Sequence, residues 1–240
     1  MSFLTIAQDV AIAVDFPSPA TAFANGDPAV KKMQRSIEAT CYSLGKIHAW
    51  KTMRAEATFT SVATEVQTGM LPTGFDRFIA ETIWDRTDKT LLTGPVTEVE
   101  WASLKASAYS DSTQRKFIQR GNTASTSILM IPIPSAGKTF GFSYVNTYFC
   151  QSSSGTAQSA WAADTDVSRL DAELVTLGAI SDFLWMEGMN HEKADSDFED
   201  LFNQLVKNDN PKTRVMSVAD IFGQRRHFNG VPAVTATYTV

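Results

Sequence analysis

Asp164-Thr165-Asp166-Val167-Ser168-Arg169-Leu170-Asp171-Ala172-Glu173-Leu174-Val175-Thr176-Leu177-Gly178-Ala179-Ile180 opens the stretch, running on to Asn208, whose reading decides the fold. Leu170, Leu174, Leu177, Ile180 and Leu184 recur at steps of four, three, three and four, the spacing that aligns one face of an α-helix. Phe198, Leu201, Phe202 and Leu205 repeat the pattern after a break at Gly188-Met189-Asn190. Gly suits a left-handed helix end there, and Asn can cap the helix that follows. The stretch predicts two amphipathic helices folded back on each other, a packing element that holds no chemical machinery.

Toward the N-terminus, Thr5-Ile6-Ala7-Gln8 fits a capping box, and Ile6, Val10, Ala13 and Val14 continue one helical face until Pro17 and Pro19. Asp27 is a good N-cap and Pro28 a good first helical residue for a second helix. Its stripe is Val30, Met33, Ile37, Cys41, Leu44 and Ile47, and it should run to about Trp50. From Arg54 the period drops toward two, with Thr58, Thr60, Val62, Thr64 and Val66 alternating with Phe59, Ser61, Ala63 and Glu65. Gly69, Pro72 and Gly74 break this pattern, short strands are expected over 79–84 and 90–93, and Gly94-Pro95 turns the chain again. Thr97-Glu98-Val99-Glu100 is a second capping box, opening a short helix through Trp101 and Leu104. Strands follow over 117–120, 127–133 and 139–148, with Pro134-Ser135-Ala136-Gly137 expected as a hairpin turn between the last two. A Gln-, Ser- and Gly-rich run, 151–159, leads back to the helical pair.

This order predicts an α+β fold, an antiparallel helical bundle with an inserted β-sheet subdomain. The divisions are 1–53 for the first bundle helices, 54–160 for the β-rich insertion, 161–210 for the closing helix pair and 211–240 for an extended C-terminal arm. The arm mixes Phe222, Phe228 and Tyr238 with Arg214, Arg225 and Arg226 and sustains no helical face. A terminus that apolar is expected to dock, either on its own domain or on a partner.

With 240 residues, 43% hydrophobic and 20% charged, the chain is ordinary globular protein and long enough to fold without a staple. A net charge of -5 argues against a nucleic-acid groove as its main task. Cys41 and Cys150 are two cysteines far apart in apolar segments, which reads as buried free thiols in a reducing compartment. No run approaches the ~18 apolar residues of a membrane span. Residues 1–14 lack Lys and Arg and carry Asp9, unlike a secretory signal, so a soluble chain that stays in the cytoplasm where it is made is expected.

Candidate chemistry is weak throughout. Ser135-Ala136-Gly137-Lys138-Thr139 ends like a phosphate loop, but Pro132 stands where the first Gly is required and Thr139 opens a strand pattern instead of a helix, which favours a plain turn. His48, His191 and His227 lack the companions of a zinc or iron site and read as surface or capping residues. Asn190-His191-Glu192 lacks a second His, because Asp195 occupies that position. Asp164, Asp166, Asp195, Asp197, Glu199 and Asp200 invite a calcium or acid–base reading. Carboxylates that complement helix starts explain them more simply. No catalytic residue, cofactor or metal is expected.

The closing segment 164–180, with Trp185 and Glu187-Gly188-Met189, resembles a signature of head-to-tail adaptor (connector) proteins of tailed bacteriophages. Leu71-Pro72-Thr73-Gly74-Phe75-Asp76-Arg77 with Trp84, and Ile131-Pro132-Ile133-Pro134 with Gly137, Phe142 and Tyr144, are similar to two further pieces of that family. They occur in the expected order and cover roughly 29–206. The chain departs from the pattern at Ser181, Asp182 and His191, where Trp, Lys and Tyr are usual. The resemblance implies a virion protein without catalysis. Such a protein forms a ring, commonly of twelve copies, beneath the portal protein, meets a tail (nozzle or tail-terminator) protein below, and lets double-stranded DNA pass ungripped. Within that frame the arm, through Phe222, Arg225, Arg226, His227, Phe228 and Tyr238, is the expected portal contact. Two other readings stay open on the residues alone: a cytoplasmic α+β enzyme with an acidic site over 164–200, and another virion accessory or tail-completion protein.

Overall fold

The computed structural model describes residues 1–67, 69–111, 114–121 and 127–209. Within them the chain is α+β, with helices α1 (Phe3–Ala13), α2 (Pro28–Ile47), α3 (Glu98–Ala106), α4 (Ala172–Met186) and α5 (Glu192–Asp209). The strands are β1 (Arg54–Thr60), β2 (Val66–Gln67), β3 (Phe75–Phe78), β4 (Trp84–Asp85), β5 (Thr90–Leu91), β6 (Lys116–Arg120), β7 (Ser127–Ile131), β8 (Thr139–Asn146), β9 (Cys150–Gln151), β10 (Ala157–Gln158) and β11 (Val167–Ser168). All three sheets they form are antiparallel. No helix among the described residues is long and apolar enough to cross a membrane.

Helix α4 is the hub of the helical layer, packing against α1, α2 and α5. That explains why its buried side is broader than the leucine stripe predicts. Leu174, Val175, Gly178, Ala179 and Phe183 are buried, whereas Leu177, Ile180 and Leu184 are only half-buried. Gly178 marks the tightest approach, since a Cβ there would collide with Thr40 of α2 and the Phe198 ring of α5. The break after α4 forms as expected. Gly188 takes φ +68, Met189 N–H donates to Leu184 O at 2.9 Å, and Asn190 Oδ1 accepts the Glu192 N–H at 3.0 Å.

Two helix ends depart from the sequence reading. Ser2, not Thr5, caps α1, and Ala13 is exposed while Phe3, Ile6, Ala7, Val10 and Ala11 form the buried side. The helix starts early because the orphan amides of Phe3 and Leu4 find acceptors in the carbonyls of Asp166 (2.8 Å) and Asp164 (3.1 Å). Helix α2 begins as predicted, with Asp27 accepting from Ala29 N–H at 2.9 Å, but stops at Ile47. Trp50 folds back instead, and its indole N–H donates to Leu44 O at 2.9 Å. Ile47 is left 66% exposed in place of joining the core.

The β region divides between two sheets. β8 is the spine of the first, with β1 along one edge and β3 then β4 along the other, and β5 beyond β4. Phe140, Phe142 and Tyr144 share one face of β8 by period two. They pack with Phe59, Phe75 and Phe78, the Phe59 and Phe140 rings stacking at 5.2 Å. The opposite face has Gly141, where a Cβ would collide with the Arg86 guanidinium that pairs with Glu56. The second sheet, β2-β7-β6, turns Ile128, Met130 and Phe117 toward this aromatic core and Leu129, Ile131 and Ile118 toward Trp101 and Leu104 of α3. Thr97 caps α3 as predicted, accepting from Glu100 N–H at 3.2 Å.

Four strand expectations are corrected. The alternation over 58–66 is interrupted at Ser61, whose N–H donates to Lys138 O and whose hydroxyl donates to Ser135 O, so β1 and β2 enter different sheets. The strand expected over 79–84 is a turn with Glu81 at φ +59, flanked by β3 and β4. Residues 134–137 do not form a hairpin: β7 pairs β6 and β2, β8 lies in the other sheet, and the segment is a crossover between sheets. The polar run 151–159 is itself part of a hairpin, β9 pairing β10 across residues 152–156. A buried ion pair ties the sheets together: Asp85 and Arg115, 1% and 5% exposed, meet at 3.1 Å, and Asp85 also accepts the Thr87 and Asp88 amides.

One loop joins the ends of the helical layer. The Asp164 carboxylate accepts the Ala22 N–H at 3.0 and 3.2 Å and the Phe23 N–H at 3.0 Å, while Asp166 accepts the Ala162 and Ala163 amides at 2.7 and 2.9 Å. A hydrogen bond to a charged acceptor contributes about 1.5–3 kcal/mol, and loss of the acceptor strands its donors. Asp164→Ala should therefore lower unfolding stability by about 2–4 kcal/mol in urea titration; a midpoint equal to wild type would show that this carboxylate is not structural.

Candidate functional site

Phe222, Arg225, Arg226, His227, Phe228 and Tyr238, the residues expected to bind a partner, lie outside the described residues, as does the whole arm 211–240. The structure does describe the root from which it departs. Helix α5 ends at Asp209, whose carboxylate meets His48 Nε2 at 2.9 Å, accepts the Lys51 N–H at 3.1 Å and accepts Arg54 Nη2 at 3.2 Å. His48 is the C-cap of α2, its side chain 11% exposed and its ring set edge-on to Trp50 at 4.6 Å. Arg54 opens β1 and also donates from Nε to Ala49 O at 2.7 Å. One carboxylate thus fixes the end of α5 to the junction between helices and sheets. Nothing in the sequence pairs Asp209 with residues more than 150 positions earlier, so this knot is visible only in the fold.

The acidic residues singled out from the sequence are dispersed. Asp164 and Asp166 serve the loop described above and are not helix-start groups; Asp171 caps α4, accepting the Leu174 N–H at 3.0 Å. Asp195 is held below the usual carboxylate range by the Ser181 hydroxyl and then by His191. Asp197, Glu199 and Asp200 are exposed on α5. Among the described residues no group of three or more His, Cys, Asp or Glu side chains is placed to hold a metal ion.

The phosphate-loop lettering is spent on the crossover. Gly137 N–H donates to Ser61 O at 2.9 Å, Lys138 N–H donates to Ser61 Oγ at 3.1 Å, the Lys138 ammonium pairs with Asp88, and Thr139 opens β8. The amides and ammonium that would cradle phosphate already have partners. Cys41 and Cys150 are buried free thiols, as expected. Burial raises both above the ordinary thiol range, Cys150 to about 12, and the Cys150 thiol donates to Gln158 O at 3.4 Å.

The remaining motif residues are joints. Gly74 takes φ +75 with Tyr148 lying where a Cβ would project. Asp76 pairs with Lys46 and Arg77, and Arg77 donates from both Nη atoms to Gly45 O at 3.1 Å, satisfying a carbonyl in the last turn of α2. Ile131 to Pro134 carries the chain from one sheet to the other, with Ile133 exposed. Ser181 and His191 both meet Asp195 across the α4–α5 turn, and Asp182 lines a groove.

That groove lies between α2, α4 and α5 and has a volume of about 320 Å³. Leu44, Ile47, Ser181, Asp182, Phe198 and Glu199 line it. No protein-family model matches the chain, and no curated protein is significantly similar to it.

Burial raises Asp182 above the usual carboxylate range, with Arg35 opposing the shift. A carboxyl that binds its proton more tightly when folded costs stability above that range, and the cost disappears as pH falls and the group protonates in both states. In 1 M salt, which screens surface ion pairs, Asp182→Asn should thus raise the denaturation midpoint at pH 7 and leave it unchanged near pH 2.5. An equal gain at both values would assign the effect to packing instead of charge.

Proposed function

We propose that this chain is a structural assembly protein of a tailed-phage virion, a head-to-tail adaptor that forms a ring between the portal and the tail. In this reading α1, α2, α4 and α5 make an antiparallel bundle into which the sheets are inserted, and 211–240 is an extended arm. The observation that carries it is that the three family-like pieces coincide with joints of the fold. Asp164 and Asp166 fasten α1 and the 22–23 turn, Asp76 and Arg77 fasten β3 to the end of α2, and 131–134 links the sheets. Residues used this way preserve a shape, which is what an assembly protein offers its partners.

The role suits the surfaces. A closed ring needs heterologous contacts between two different faces of each copy, and a helical layer beside a sheet layer supplies them. Arg and aromatic side chains dominate protein interfaces, and the arm concentrates both at 222–228. An overall charge of -5 suits a conduit that passes DNA without holding it. The occupants are then the portal, a tail component, neighbouring copies and passing duplex, with the assembled virion as the location.

Removing residues 221–240 should abolish co-sedimentation with cognate portal rings while the far-UV circular dichroism of the shortened chain stays that of wild type. Attachment that survives the deletion would move the portal contact to another surface.

A further inference from the structure

We propose that the groove between α2, α4 and α5 binds a basic, aromatic peptide segment, and that before assembly its occupant is the chain's own stretch Phe222-Gly223-Gln224-Arg225-Arg226-His227-Phe228. The inference rests on the reading of 211–240 as an arm. The groove has apolar walls that the fold leaves open: Ile47 is 66% exposed and Phe198 half-buried. Its carboxylates are short of cations. No Lys or Arg lines it, Glu199 has no ion-pair partner among the described residues, and among those residues Asp182 accepts no hydrogen bond and faces only the Arg35 charge. Asp195, on the same rim, is already engaged by Ser181 and His191. Apolar walls beside two carboxylates unpaired among the described residues fit a segment in which two phenylalanines flank adjacent arginines.

The own-chain occupant follows from where α5 stops and what comes next. Asp209 is tied to His48, the residue after Ile47, so the chain continues from beside the groove. The thirteen steps from Asp209 to Phe222 reach at most about 45 Å when extended. The α2 wall of the groove, Ala39 to Ile47, is about 12 Å long, well within that reach. Charge agrees as well: 210–240 holds Lys212, Arg214, Arg225 and Arg226 against Asp220 alone, within a chain of net charge -5. A parked arm keeps its aromatic residues off other surfaces until a partner with a better site draws it out.

Cysteine cross-linking in the full chain tests this, because the native thiols are buried and stay silent. Ser43→Cys on the groove, combined with His227→Cys, should close an intramolecular disulfide under mild oxidation at least tenfold faster than Ser103→Cys on α3 combined with His227→Cys. Adding Asp182→Asn and Glu199→Gln to the first pair, or raising the salt to 1 M, should slow it to the control rate. Equal rates for the two pairs, or a fast rate that ignores the carboxylates, would overturn the proposal. Exclusively intermolecular disulfides would do so too, by making a second copy the occupant. The assay contains no portal, so its failure leaves the adaptor reading standing, and loss of portal attachment in a separate mixture would not alter the cross-link.

Discussion

Two aspartates in one short loop hold the helical layer together. The side chain of Asp164 reaches the 22–23 turn, and the carbonyls of Asp164 and Asp166 take the first amides of α1. Apolar burial supplies most of the energy, since each buried Phe, Ile or Leu contributes about 1.5–3 kcal/mol. Burial is not directional, however, and would tolerate α1 sliding along α4. The hydrogen bonds fix its start and its register, and with them the position of Phe3 against Trp161. The Asp209 knot does the equivalent at the far end of the layer, and the Asp85–Arg115 pair does it between the sheets.

These three devices share a property. Each spends a charged group on backbone amides or on an opposite charge. Breaking a buried pair by removing one partner is far more costly than the net worth of the pair, so such sites define shape strictly. The assembly role proposed above would draw on that strictness. The groove between α2, α4 and α5 is the exception, with Asp182 and Glu199 unmatched among the described residues and apolar walls left open.

The sequence is legible where the signal is local. The caps Asp27, Thr97 and Asn190 and the turn at Gly188 are read correctly because the groups involved lie within a few residues of one another. The existence of α2, α4 and α5 follows from helical period alone. What fails depends on partners distant in the chain. Ser2 displaces Thr5 as a cap because acceptors arrive from 164–166, Ile47 drops out of the core because Trp50 folds under Leu44, and the 134–137 turn becomes a crossover because β8 finds β1 as its partner. Even the buried face of α4 is displaced from its leucine stripe, because three helices, not one, press on it. Of the acidic residues in the candidate site, only Asp195 sits in the first turn of a helix as its position suggests; Asp164 and Asp166 act through a loop whose partners are distant in the chain, and Asp209 and the groove carry no sequence signature.

The function proposed above makes this chain an assembly part that acts beside other proteins. Negative-stain electron microscopy of the purified chain mixed with cognate portal rings addresses that most directly. The account predicts particles in which a coaxial ring of this chain extends the portal on one side. Bare portal rings beside a chain that stays monomeric would contradict it.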